Sequence, residues 1–218
     1  LGNQMMKVLQ RHRGMNKKEA EETAIYWLER VGIPGARQRM KSYPHEFSGG
    51  MRQRVMIAMA MSLSPKILIA DEPTTALDVT IQQQILNLLR EVEMEVKNSV
   101  ILITHDLGVV ANTCDRVIIL YGGMVMEEGT VEEIFEETAH PYTLGLLASV
   151  PRGERGEKLI PIPGQPVRLK EEARLCPFLD RCGMSLPICQ KEMPRLLSLS
   201  PTHKVRCWRM EGGEDATV

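Results

Sequence analysis

Apolar residues recur at Ala20, Ala24, Leu28 and Val31, an i, i+4, i+8, i+11 stripe that marks one buried face of a helix. Asn16 can cap that helix and Glu19 follows three residues on, so the spacing predicts a helix from Asn16 to Val31, ended by Gly32 and Pro34. Gly35 to Glu46 is polar and reads as a loop. Ser48-Gly49-Gly50 opens a second helix, with Val55, Met56, Met59 and Leu63 along one side and a stop at Pro65. The period then changes. Lys66 to Ala70 and Val100 to Thr104 are short apolar runs, expected as buried strands, and they end in Asp71-Glu72 and His105-Asp106. Between them Ile81, Ile85, Leu88, Leu89, Val92 and Val96 predict a helix from Ile81 to Val96. Arg116 to Tyr121 and Met124 to Glu128 flank Gly122-Gly123 and predict two strands around a tight turn.

Strands alternating with helices indicate an α/β core with a largely parallel sheet. Ligands of such sheets bind outside the carboxyl ends of the strands, where Asp71, Glu72 and His105 fall. From Pro151 the texture changes: Pro161, Pro163, Gly164 and Pro166 interrupt the pattern, and a Cys-rich stretch begins at Cys176. The expected divisions are a helical part over 1–62, an α/β part over 63–150 and an irregular Cys-rich extension over 151–218. Glu211 to Val218 is expected to be a frayed tail.

Composition narrows the function. With 43% hydrophobic and 25% charged residues, the 218-residue chain has the balance of a globular protein. Its 27 basic and 28 acidic residues leave a net charge of −1, which argues against a nucleic acid or an anionic membrane as partner. No apolar run approaches the ~20 residues of a membrane-spanning helix. Val55 to Leu63 is too short and is flanked by Arg54 and Pro65, so any link to a membrane is expected to run through a partner protein. The chain opens at Leu1 without secretory features, and truncation is the expectation for that end. Five cysteines, an odd number, fit a secreted disulfide framework poorly and suggest a reducing compartment.

Two segments carry candidate chemistry. Ile67 to Glu72 is an apolar run delivering a carboxylate to its end, the way P-loop nucleotidases hold magnesium, with a second carboxylate placed to polarise an attacking water. A buried strand with a solvated acidic turn is the plainer alternative. Phe47 to Arg54 puts Ser48 and two glycines at a helix start, where bare N–H groups and the helix dipole favour an anion. An ordinary N-cap is the alternative there. A lone His in a loop, as at His105, is usually just solvated.

Taken together, Phe47-Ser48-Gly49-Gly50-Met51-Arg52-Gln53-Arg54 resembles the signature motif of ABC ATPases, and Ile67 to Glu72 their Walker B strand. Ala76-Leu77-Asp78 is similar to their D-loop and Thr104-His105-Asp106 to their switch histidine. The resemblance implies part of a P-loop NTPase-like ABC nucleotide-binding domain, with a helical signature subdomain. It implies that Asp71 holds the shell of a Mg2+ ion, Glu72 orients or deprotonates water, and His105 senses the γ-phosphate of ATP. Asp78 would lie at a dimer seam. Ser48, Gly49, Gly50 and Gln53 would face ATP held by the opposite subunit, which makes a second ABC ATPase subunit, identical or not, part of the mechanism. One departure is large: G-x-x-x-x-G-K-S/T occurs nowhere in the chain. The family's P-loop and Q-loop belong upstream of a segment like Leu1 to Leu9, and without the amide cradle and Lys, negligible hydrolysis by this chain alone is expected.

Ser42-Tyr43-Pro44-His45-Glu46-Phe47, Met56 to Ala60, His140-Pro141-Tyr142-Thr143 and Ile162-Pro163-Gly164-Gln165-Pro166 resemble the oligopeptide and dipeptide importer branch, although Val167 stands where a second Pro is frequent. That branch implies transmembrane permease partners, indirect dependence on an external solute-binding protein, and a peripheral place on the cytoplasmic face of the plasma membrane. Cys176, Cys182, Cys189 and Cys207 form C-x5-C-x6-C-x17-C. Four thiolates suit zinc or an iron–sulfur cluster. The absence of a short C-x2-4-C pair and the resemblance to the branch's C-terminal module favour a 4Fe–4S cluster. Zinc, two disulfides or unligated thiols remain open, and Cys114 is expected to be a buried apolar residue. Two other readings also stay open: an ABC ATPase of DNA repair or translation, and a non-catalytic metal-binding fragment.

Overall fold

The structure is a computed structural model that describes residues 1–75, 77–96, 99–150, 161–167 and 174–211. Ala76 of the D-loop motif, the side chains of Val92 and Val96, the boundary at Pro151 and the tail beyond Glu211 lie outside the described residues. The chain divides into two compact units, Leu1–His105 and Asp106–Val218, whereas the sequence texture suggested breaks after 62 and 150.

In the first unit a helix not anticipated from sequence, α1 (Gly2–Arg13), buries Met5 and Leu9 and ends at Gly14, whose φ of 65° suits glycine. The predicted second helix is α2 (Lys17–Arg30). Asn16 Oδ1 accepts the N–H groups of Lys18 and Glu19 at 3.0 Å, and Glu19 returns the bond by accepting the Asn16 N–H at 2.9 Å. Ala20, Ala24, Leu28 and Val31 are all fully buried, as their spacing required. The stretch read as a loop contains a short helix, α3 (Ala36–Arg39), and a 3-10 turn, Pro44–Glu46.

Helix α4 (Gly49–Met61) starts where expected, and its buried side is wider than predicted: Val55 is in the core with Met59 and Leu63 packed against it. Val55, Ile57, Ala58 and Met61 point inward, while Met56 is 64% exposed. Residues 55–61 are apolar at every position, so periodicity could not choose a face. Contact with α2 and with α5 (Val79–Val96) chose it. Strands β1 (Ile67–Asp71) and β2 (Ser99–Ile103) pair in parallel, from Ile67 opposite Ser99 to Asp71 opposite Ile103. The expectation of buried strands holds for one face only: Leu68 and Ala70 join the core, whereas Ile67, Ile69, Ile101 and Ile103 are exposed.

In the second unit Asp106 caps α6 (Leu107–Thr113) through the N–H groups of Gly108 and Val109. The predicted hairpin forms from β3 (Arg116–Tyr121) and β4 (Met124–Thr130). Gly122 and Gly123 both take positive φ, 55° and 76°, as a tight turn demands. Helices α7 (Val131–Glu136) and α8 (Pro141–Ala148) follow. Far along the chain, β5 (Leu197–Ser198) and β6 (Lys204–Val205) extend the hairpin into a sheet of order β3-β4-β6-β5, antiparallel throughout. Among the described residues only β1 and β2 are parallel, which corrects the expectation of a largely parallel sheet. Two-glycine turns leave no room for the crossover that parallel neighbours need. The Pro-rich stretch is strapped down by Arg181, which donates to the carbonyls of Pro163 and Ile162 and to the Tyr121 hydroxyl.

Candidate functional site

The parallel pair sets the geometry of the acidic end. The Glu72 N–H donates to the Ile103 carbonyl at 2.9 Å, carrying the ladder one residue past β1. Glu72 itself sits at φ 46°, a left-handed conformation that costs a non-glycine residue about 1–2 kcal/mol. The bend faces its carboxylate toward the end of β2, where His105 Nδ1 lies 2.9 Å from Oε1. Thr75 Oγ1 donates to Oε2, also at 2.9 Å. The hydrogen bond from His105, then that from Thr75, holds the Glu72 carboxyl below its ordinary value. With a carboxylate as partner, His105 Nδ1 is the donor. Asp71, the last residue of β1, is exposed beside them. Thus Glu72 and His105 meet at the carboxyl ends of adjacent strands, with Asp71 exposed one residue before.

The signature-like segment is assembled separately. Phe47 is buried under the Arg39 guanidinium, which lies 5.2 Å from its ring centroid. Ser48 caps α4 by accepting the Met51 N–H at 3.3 Å, and Ser48 and Gly49 are exposed. Gly50 is partly covered, and a Cβ there would stand 2.6 Å from Ile81 Cγ2 on α5. Gly49 faces Leu77 in the same way, at 3.6 Å. Asp78 accepts the Ile81 N–H at 2.9 Å, capping the start of α5. The two helix starts, one carrying Ser48 to Gly50 and the other Leu77 to Ile81, are therefore neighbours. Gln53, half-buried, follows one turn along α4.

Cys176, Cys182, Cys189 and Cys207 line one small pocket of about 20 Å³, together with His140, Phe178 and Arg206. All four are reduced, as is Cys114, which packs half-buried against Val110, Val117 and Ile119. Burial pushes the thiols of Cys176 and Cys182 up, and that of Cys207 to about 11. Backbone N–H groups at Phe178, Met184 and Arg209 oppose that rise for Cys176, Cys182 and Cys207, and the Leu186 N–H reaches Cys189 Sγ at 3.4 Å. Among the described residues no three His, Cys, Asp or Glu side chains converge closely enough to hold a single metal ion.

Sequence reasoning missed two sets of residues. Thr75 carried no signal, because a hydroxyl beside a motif looks like any turn residue. Glu127 is fully buried with His203 Nε2 2.8 Å away and the N–H groups of Ala139 and His140 at 2.7 and 3.1 Å. A Glu-Glu pair at 127–128 reads as a solvated edge, and its histidine partner lies 76 residues on. His140 caps α8 by accepting the Tyr142 N–H, and burial lowers its pKa to about 4.

Comparison with known proteins matches these two regions separately. Residues 2–75 match the ABC transporter family, and residues 126–189 match the oligopeptide/dipeptide transporter C-terminal region. The oligopeptide transport ATP-binding protein OppD of Salmonella typhimurium is 50% identical over 96% of this chain, and the dipeptide transport ATP-binding protein DppD of Bacillus subtilis is 51% identical over 95%. The chain spans 62% of the length of each. Among solved structures, cbiO1 of Clostridium perfringens, part of the ABC transporter complex cbiONQ, superposes with a TM-score of 0.50 at 33% identity, covering 57% of this chain and 49% of that one. The ADP- and phosphate-bound dimer of the cassette MJ0796 gives 0.50 at 31% identity, over 58% and 54%. The chain thus carries an ABC transporter segment followed by an oligopeptide/dipeptide transporter C-terminal region, and it is similar over nearly its whole length to oligopeptide and dipeptide transport ATP-binding proteins.

Proposed function

We propose that this chain supplies the signature, Walker B, D-loop and switch-histidine parts of an ATP-binding subunit that powers import of oligopeptides or dipeptides. The observation that carries the reading is the 2.9 Å pairing of Glu72 with His105 at the carboxyl ends of two parallel strands. In this reading Glu72 orients or deprotonates the attacking water, Asp71 holds the Mg2+ hydration shell, and His105 senses the γ-phosphate. Ser48, Gly49, Gly50 and Gln53 face ATP on a second ATP-binding subunit, with Asp78 at the seam. Ser48 and Gly49 are exposed at the helix start, which leaves them available for that contact. Transmembrane permease subunits are the membrane partners, fed by an external solute-binding protein, and the subunit sits peripherally at the cytoplasmic face. No helix among the described residues is long and apolar enough to cross a membrane.

Ultracentrifugation of this chain with the importer's second ATP-binding subunit tests the signature role. ATP is expected to drive association, and Ser48→Arg to abolish it. Association indifferent to both nucleotide and substitution overturns the reading. Because residues 1–218 contain no G-x-x-x-x-G-K-S/T, the chain alone is expected to turn over ATP negligibly. Robust turnover abolished by Glu72→Gln contradicts that. Co-purification with peptide permease subunits tests the transport assignment.

For the four cysteines a 4Fe–4S cluster is the proposed occupant. Support comes from the pocket that all four line and from the Leu186 N–H on Cys189 Sγ, which suits a thiolate ligand. Such a cluster cross-links segments that carry little regular structure of their own. Anaerobic purification is expected to yield a chain with visible iron–sulfur absorption, whereas stoichiometric zinc in its place sinks the assignment.

A further inference from the structure

We infer that Glu127 is a positioning residue for the four-cysteine centre, pinning both the strand that delivers Cys207 and the wall formed by His140. The inference rests on the cluster reading above.

Three of the cysteines, Cys176, Cys182 and Cys189, come from one irregular stretch, and the fourth arrives from the far side of β6. That strand is only Lys204–Val205, paired with β4 through Glu127 opposite Val205 and Glu128 opposite Lys204. Two residue pairs specify register weakly, and a slip of one residue turns every side chain to the other face. The backbone stays extended through Cys207, with φ −151° and ψ 130°, so a slip in β6 carries the Cys207 sulfur away from the other three.

Something must therefore hold the register. The Lys204–Glu128 ion pair at 2.7 Å is partly exposed, and solvent screens such pairs so that they hold little. Glu127 has a stronger grip. Its carboxylate is fully buried and is the common acceptor for donors from two segments: His203 Nε2, one residue before β6, and the N–H groups of Ala139 and His140. Each of those donors would be stranded out of water without it. The same carboxylate that fixes His203 also fixes the backbone of His140, whose ring lines the cysteine cavity. Arg206 completes the splice by donating to the Met126 and Val125 carbonyls immediately before Cys207. One buried acid thus sets the distance between the cavity wall and the fourth thiol.

The test uses the 218-residue chain, reconstituted anaerobically with equal amounts of ferrous and ferric iron and with sulfide, as wild type, Glu127→Gln, His203→Leu and Cys207→Ser. Glutamine matches the size of Glu127 but turns an amide donor toward one of three N–H groups, and leucine removes only the His203 bond. Wild type is expected to hold a four-iron centre. Both Glu127→Gln and His203→Leu are expected to lose iron to a chelator about 10- to 100-fold faster. On oxidation they are expected to show the three-iron paramagnetic signal that Cys207→Ser shows. Should Glu127→Gln fail to fold, His203→Leu decides alone. Wild-type iron content and spectrum in the folded variants overturn the inference, as does iron loss without the three-iron signal. A wild type that takes up no iron defeats the cluster reading itself, a result visible before any variant is compared.

Discussion

Gly50 on α4 and Ile81 on α5 are packed so closely that a Cβ on the glycine would stand 2.6 Å from Ile81 Cγ2. Ile81 is β-branched and stiff at χ1, so it yields poorly. Gly50→Ala is expected to lower stability by about 1–2 kcal/mol in urea unfolding, because overpacking outweighs the modest helix preference of alanine. In an Ile81→Ala background the same change is expected to be neutral or stabilising. An equal cost in both backgrounds means the contact does not matter.

Glu72 keeps its low pKa through His105 first and Thr75 second. Carboxyl NMR titration is expected to show Glu72 rising toward its ordinary value in His105→Ala, and by less in Thr75→Val. The reverse order would assign the hold to the hydroxyl.

Glu133 accepts the hydroxyls of Ser200 and Thr202 at 2.7 Å each and the Thr130 N–H at 2.8 Å. The Ser200 bond leads in lowering its pKa from 4.5 to about 2. A depressed carboxyl stabilises the fold fully above its unfolded value and loses that contribution as pH falls from 4.5 toward 2. Fluorescence of Trp208, whose indole N–H donates to the Glu192 carbonyl, is expected to report loosening of the β5–β6 region in that window. Glu133→Gln is expected to flatten the acid response.

His140 gives a second, higher window. Burial lowers its pKa from 6.5 to about 4, so the unfolded chain takes up a proton first and stability falls as pH drops from 6.5 to 4. At about 1.4 kcal/mol per pH unit the loss reaches about 3 kcal/mol. Asparagine can also cap a helix, and His140→Asn is expected to remove the pH dependence in this range while keeping α8. Chemical denaturation at pH 6.5, 5 and 4 measures both.

Much of the candidate site is readable from short-range chemistry. Ser48 and Asp78 are caps, and Asp71 and Glu72 end an apolar run, so a few adjacent residues decide where each lies along its element. Helix α2 is similarly legible, because its stripe and capping box repeat the same instruction. Helix α4 is not: apolar on all sides through 55–61, it offers no preferred face until α2 and α5 arrive. Helix α1 was legible too: Leu1, Met5, Val8 and Leu9 fall at i, i+4, i+7 and i+8, the spacing of one buried helical face.

By itself the sequence determined local matters: which segments coil or extend, where they are capped, and the order of the four ABC motifs along the chain. Tertiary structure alone decided which distant groups meet. His105 reaches Glu72 only because β1 and β2 align in parallel, and Cys207 joins the other cysteines only because β6 registers on β4. Caps and stripes act over three or four residues, where chain connectivity limits the choices. Partners 33 or 76 residues apart are selected by burial and hydrogen-bond satisfaction across the whole fold, which no local pattern records.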